Sequence, residues 1–233
     1  MFLVKILHQL TVTGIHLIVL NRGDFLLKMV MILSKNSSVV FNNNALGLCR
    51  KIIGARFYYK GFEAKNGPLE TSGRLFFRSA RDGEGHGSHT ASTIGGNMVP
   101  NASLNGMAIG TARGGATNAR LAIYKACWFR NCSDADVLAA MNDAINDGVD
   151  ILSLSLGPNP SQPIYFKNAI SIGAFHVFRK GVVVSCSAGN SYFPGTAVNV
   201  APWILTAAAS SLDREFNSNV YLGNSQVLKV TFH

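Results

Sequence analysis

The sequence predicts an α/β fold in which a parallel sheet is flanked by helices, and three observations carry that reading. From Cys49 onward, short runs rich in Val, Ile and Leu alternate with stretches whose apolar residues recur at helical spacing. Glycine or a polar turn separates most of these runs from the next. The intervening helical stretches are about ten residues or longer, the length a crossover between parallel strands needs. With 233 residues, 48% of them hydrophobic, the chain can bury the core such a domain requires.

Residues 1–44 show no sustained helical or strand period and end in the polar run SKNSSVVFNNN, so no architecture is assigned to them. Their opening, MFLVKILHQLTVTGIHLIVL, is apolar but interrupted by Lys5, His8, Gln9 and His16. It falls short of the ~18 uninterrupted residues of a membrane span, and it lacks the basic start and small-residue cleavage site of a signal peptide. KIIGARFYY reads as a strand with a bend at Gly54, and residues 62–85, polar with aromatics, read as a loop. HGSHTASTIGG is a short helix closed by Gly95 and Gly96, and ARLAIYKACW is a β-rich run. In SDADVLAAMNDAINDGV, Ser133 is the N-cap and Asp136, three positions on, makes an acidic capping box. Val137, Leu138, Met141, Ala144, Ile145 and Val149 form the apolar stripe of that helix, and Gly148 stops it. VDILSLSLG as strand, YFKNAISIGAFHVFRKG as helix, VVVSCSAGN as strand and WILTAAAS as strand complete the series.

The net charge of +9 would suit an anionic partner, but its distribution argues otherwise. Residues 1–81 hold 12 Lys/Arg against 3 Asp/Glu, whereas residues 82–233 hold 9 of each. No nucleic-acid partner is therefore expected for the second part, and no integral membrane span is expected anywhere. The four cysteines, Cys49, Cys127, Cys132 and Cys186, include no CxxC pair, so no metal is implied. Cys127 and Cys132 could close a small loop in an oxidising compartment, or both could be free buried thiols. Sequons at Asn36, Asn101 and Asn131 would suit a secretory route. Neither GxGxxG nor GxxxxGK(S/T) occurs, which weakens a nucleotide-binding reading, and no cofactor is implied.

In a parallel sheet, sites form at the carboxyl ends of strands. Two such ends stand out, LSLSLG ending at Gly157 and VVVSCSAGN ending at Asn190. His86 lies between Gly85 and Gly87, so a substrate backbone could approach its imidazole closely. Asn190, preceded by the small residues Ser187, Ala188 and Gly189, could aim its NH2 at an oxygen that becomes negative during acyl transfer.

Four segments in this order, GHGSHTAST, GTARGGATNARLAIYKACW, CSDADVLAAMNDAINDGVDILSLSLG and SAGNS followed by VAPWILTAAASSLDREF, resemble the subtilisin-like serine proteases, specifically the plant, cucumisin-like branch. The resemblance covers about residues 49–228 and implies a three-layer fold, incomplete in this chain. It divides the chain into an unmatched segment 1–44, a partial peptidase S8 catalytic domain over 45–228 and a non-matching tail 229–233.

The resemblance implies that His86 in HGSH is the catalytic base, with Ser88 in place of the usual Thr, and that His89 packs rather than reacts. It implies that Asn190 donates to the oxyanion, that Ser155, Leu156 and Gly157 pair with the substrate backbone, and that Ala188 and Gly189 form the opposite wall of the pocket. The cysteine pair around the Trp-containing loop, Cys127 and Cys132, is a further feature of that branch. A polypeptide substrate in extended conformation, a propeptide-type inhibitor, and an extracellular or cell-wall location follow in the same way. Two family parts are missing. The nucleophile motif Gly-Thr-Ser-Met-(Ala/Ser) and the D-(T/S)-G-(I/V) motif occur nowhere, and Asp24, 62 residues before His86, stands in the wrong context. The expectation is a truncated serine endopeptidase that is inactive alone; the alternative is a non-catalytic peptide- or propeptide-binding protein.

Overall fold

The computed structural model describes residues 31–34, 51–73, 76, 78–129, 131–191, 193–210 and 216–232. Strand β1 (Met31–Ser34) falls within the segment to which no architecture was assigned. The four apolar-to-polar letters MILS are too few to show a period. Strand β2 (Ile52–Phe57) shifts register between Ile52 and Gly54, where the sequence marks a bend.

The stretch expected to be loop instead holds helix α1 (Lys60–Asn66) and a 3-10 turn (Leu69–Ser72). Seven residues cannot sustain a helix on propensity alone, and this one is held from outside. Asp136 accepts hydrogen bonds from the backbone N–H groups of Gly61 at 2.9 Å and Phe62 at 2.8 Å. That corrects the capping-box expectation for Asp136: it is buried and caps a neighbouring helix, while Ser133 makes no side-chain cap bond.

Helix α2 (His86–Gly95) is followed by the antiparallel hairpin of β3 (Val99–Leu104) and β4 (Met107–Ala112). Strand β5 (Arg120–Lys125) leads into two-residue strands β6 (Cys127–Trp128) and β7 (Asn131–Cys132), which pair with each other. Helix α3 (Asp134–Asn146) carries the expected stripe and stops before Gly148, whose φ of +78° only glycine adopts freely. Strand β8 (Ile151–Leu154) is followed by a 3-10 turn and then helix α4 (Ala169–Arg179), where the Asn168 side chain accepts from the Ser171 N–H at 2.8 Å. Strands β9 (Val183–Ser187) and β10 (Leu205–Ala207) and the hairpin of β11 (Phe216–Tyr221) and β12 (Val227–Phe232) complete the order.

Six strands form one sheet in the order β10-β9-β8-β1-β5-β2. β2 runs parallel to β5, β8 to β9 and β9 to β10, but β1 lies antiparallel to both β5 and β8. The strands read from the sequence are thus mutually parallel, as expected, and the sheet is mixed only through β1, which lies in the segment left without an architecture. A strand outside the helical crossovers is not bound by their direction, and either direction satisfies the backbone groups that β5 and β8 offer each other across the gap.

β5 shows how two faces are covered. Ala122 and Tyr124 point into a cluster with Val137, Met141 and Ala144 of α3 and Ala174 and Val177 of α4. Leu121 and Ile123, the alternate residues, pack on Ala91 of α2. The helices therefore form layers on both faces of the sheet. A Cβ on Gly173 would stand 2.6 Å from the Met141 sulfur, so glycine there is what lets α4 lie against α3. Among the described residues no helix is long and apolar enough to cross a membrane.

Candidate active site

Because β1 is antiparallel to both of its neighbours, β5 and β8 run in the same direction, and β9 follows β8. Their carboxyl ends, at Lys125, Leu154 and Ser187, share one edge of the sheet. With β1 between them, the ends of β5 and β8 lie two strand spacings apart, about 10 Å.

His86 is the first residue of α2 and is exposed, after Gly85 with a φ of +90°. Asp82 holds this turn. One carboxylate oxygen accepts from the N–H groups of Glu84 at 2.9 Å and Gly85 at 2.8 Å. The other accepts from the N–H and the hydroxyl of Ser88, both at 2.8 Å. A carboxylate thus satisfies donors that the first helical turn leaves unpaired, and its charge suits the positive end of the helix dipole.

The segment before Asp82 is fastened to the sheet by Lys125, which is buried. Its ammonium donates to the carbonyls of Arg81 at 2.6 Å and Ser79 at 3.3 Å and sits 4.0 Å from the centre of the Trp128 ring. A buried cation is tolerated only with such partners. Trp128 in turn donates to the Tyr58 carbonyl at 2.7 Å, and Cys127 and Cys132 are joined by a disulfide with a Cα separation of 4.2 Å. Gly95, at the far end of α2, packs on Leu121 at the start of β5. Helix α2 therefore runs opposite to β5 and presents His86 at the carboxyl edge. His89 is half-buried, and that burial holds its imidazole below the ordinary histidine value.

Ser155, Leu156 and Gly157 continue β8 beyond its last paired residue, with Ser155 and Leu156 half-buried and Gly157 exposed. Ala188, Gly189 and Asn190 continue β9 in the same way, and Asn190 is exposed at a bend. The Ala188 N–H donates to the Ala207 carbonyl at 2.9 Å and its carbonyl accepts from Val198 at 3.0 Å, while Gly189 has a φ of +91°. The topology thus gathers His86, residues 155–157 and residues 188–190 on one edge. Asp24 lies outside the described residues.

Asp82 and Lys125 escaped the sequence reading. Asp82 stands four positions before the helix, outside the usual capping offset, and Lys125 is one polar letter in an apolar run. Cys186, the free cysteine among the described residues, is buried and its thiol is pushed up to about 12, so it is no nucleophile.

The fold and the gathered edge define a class: an α/β domain whose polar loops converge beyond the carboxyl ends of its strands. Residues 73–218 match the Subtilase family (peptidase S8) model, and the chain belongs to that family. It is 68% identical over 197 residues to the subtilisin-like serine-protease S of Lotus japonicus, covering 84% of this chain and 26% of that protein. Identity is 51% over 183 residues with subtilisin-like protease SBT1.4 of Arabidopsis thaliana, covering 78% and 24%, and 50% over 185 residues with SBT5.3 of the same plant, covering 77% and 23%. The chain thus spans about a quarter of the length of these relatives.

Proposed function

We propose that the chain is part of the catalytic domain of a subtilisin-like serine endopeptidase, carrying the base, the oxyanion donor and the peptide-binding walls. The observation that supports this best is His86, raised on a fastened helix start at the same sheet edge as two strand ends that carry the exposed Gly157, Gly189 and Asn190. In this reading an extended polypeptide lies along residues 155–157 by main-chain hydrogen bonding, with Ala188 and Gly189 opposite. His86 takes the proton of a serine hydroxyl as that oxygen attacks the scissile carbonyl, then returns it to the leaving amine. Asn190 donates from Nδ2 to the carbonyl oxygen as it becomes negative. Secretion to the cell exterior or wall, and inhibition by a propeptide-type segment, belong to the same proposal.

The serine is not within a Gly-Thr-Ser-Met motif of these 233 residues, so the chain by itself binds peptide without forming an acyl-enzyme. Ser88 is bound to Asp82, and Ser187 is the last residue of β9, so neither is set on a turn that presents a nucleophile. A fluorophosphonate probe, which reacts with activated serines, is expected to leave the 233-residue chain unlabelled. Labelling that His86→Ala abolishes would show that another serine has taken the role. Extending the chain with the Asp and Ser segments of a relative is expected to create labelling. No gain on extension favours the second reading, a non-catalytic peptide- or propeptide-binding protein.

A further inference from the structure

Val198 and Asn199 form a wedge between the ends of β8 and β9, and we propose that Asn199 is the positioning residue that fixes the spacing of the two walls on which an extended peptide lies. This inference rests on the peptide-binding reading above. Asn199 is fully buried, at 0% exposure, a rare place for an amide. Its Nδ2 donates to the Leu156 carbonyl at 2.8 Å and to the Ser187 carbonyl at 2.9 Å. The amide has two protons, and one goes to each wall. That assignment fixes which end of the amide is nitrogen, because two carbonyls can receive only from the NH2.

The wedge is itself anchored. The Asn199 carbonyl accepts from the Thr206 hydroxyl at 2.6 Å, and its N–H donates to the Gln162 side-chain oxygen. Its φ of +58° lies in the left-handed region, which Asn tolerates better than most residues. Val198 donates its N–H to the Ala188 carbonyl at 3.0 Å. A Cβ on Gly157 would stand 2.8 Å from the Asn199 Nδ2 and 3.0 Å from a Val198 methyl, so glycine at 157 is what admits the wedge. The Asn199 Oδ1 is left buried with no donor. An orphaned acceptor is costly, and here it is the consequence of turning both protons toward the walls. The bridge between Leu156 and Ser187 therefore decides the orientation of this side chain.

The test uses the 233-residue chain and fluorescein-labelled β-casein, an unfolded polypeptide, with binding read by fluorescence anisotropy. Asn199→Ala is expected to weaken casein binding at least tenfold and to lower hydrogen-exchange protection at the Ala188 and Val198 amides, with α3 amides unchanged. Asn199→Asp keeps the shape and can serve one carbonyl only while protonated. Its binding, relative to wild type, is expected to fall as pH rises through the value of that buried carboxyl. A merely space-filling role would move neither the pH profile nor the two named amides selectively. Wild-type casein affinity in Asn199→Ala, pH-independent loss in Asn199→Asp, or undiminished protection at Ala188 and Val198 would each overturn the proposal. Absence of casein binding by the wild-type chain would instead overturn the peptide-binding reading, and the exchange data would still decide whether Asn199 spaces the walls.

Discussion

Gly85 and Gly87 flank His86 with little bulk, and the turn that carries it is held by residues on either side. Asp82 supplies the anchorage with four accepted hydrogen bonds, and Lys125 ties the preceding carbonyls to the end of β5. Asp82→Ala removes a charged acceptor shared by the N–H groups of Glu84, Gly85 and Ser88, so it is expected to lower unfolding stability by about 2 kcal/mol in urea titrations. The His86 imidazole NMR signals should broaden in the same variant as the turn loses its single geometry. Asp82→Asn keeps an oxygen acceptor and is expected to lose less. His89 adds a pH dependence with a definite sign. Burial lowers its folded value below the ordinary 6.5, so the unfolded chain binds the proton more readily. Its contribution to stability is intact above about pH 6.5 and is lost as pH falls through the lowered folded value. Thermal melts at descending pH should show this loss, and His89→Gln should flatten that part of the profile.

Helices α2 and α3 were legible in the sequence because each carries its own signals: a glycine at or beyond the end of both, and an apolar stripe along α3. Helix α1 was not, because its stabilising partner, Asp136, lies about 75 positions away and shows no local pattern. Strand β6 fell inside the β-rich run ARLAIYKACW, but its partner β7 was hidden for a related reason, since a disulfide rather than an alternating pattern holds the two together. The strand ends that carry residues 155–157 and 188–190 were readable as the limits of apolar runs, whereas the wedge between them comes from a distant loop. These distinctions can be measured. Asp136→Ala withdraws two acceptor bonds from α1 and is expected to cost about 2 kcal/mol, with exchange protection lost at Gly61 and Phe62 while β5 stays protected. Replacing Cys127 and Cys132 together with Ser reopens a loop of sequence separation 5, worth about 2 kcal/mol by loop-closure entropy. Trp128 is almost fully buried under that clip, so its fluorescence should shift to the red.

At the scale of the whole molecule, the sheet is well covered at its centre, and among the described residues no strand pairs with the outer edge of β10. β10 lies at one edge of the six-stranded sheet, three residues long, and Leu205 on it is 62% exposed. Helix α4, whose Phe175 ring meets Trp203 just before β10, exposes Ile172, Phe175 and Phe178, three residues spaced by three along one face of the helix. An unpaired strand edge offers backbone donors and acceptors to any other strand, and adjoining apolar side chains add a driving force for contact. The buried centre does not compensate, because the exposed edge and face are available in the native state. Self-association of the 233-residue chain through this side is therefore expected, seen as a sedimentation coefficient that rises with concentration. Leu205→Lys places a charge on the edge strand and Phe178→Lys places one on the helix face, and both positions are exposed, so neither should unfold the core. The double variant should sediment as a monomer at concentrations where the wild type does not. Unchanged association in that variant would place the contact elsewhere, with the hairpin of β11 and β12, where Tyr221 and Leu228 are exposed, the next surface to charge.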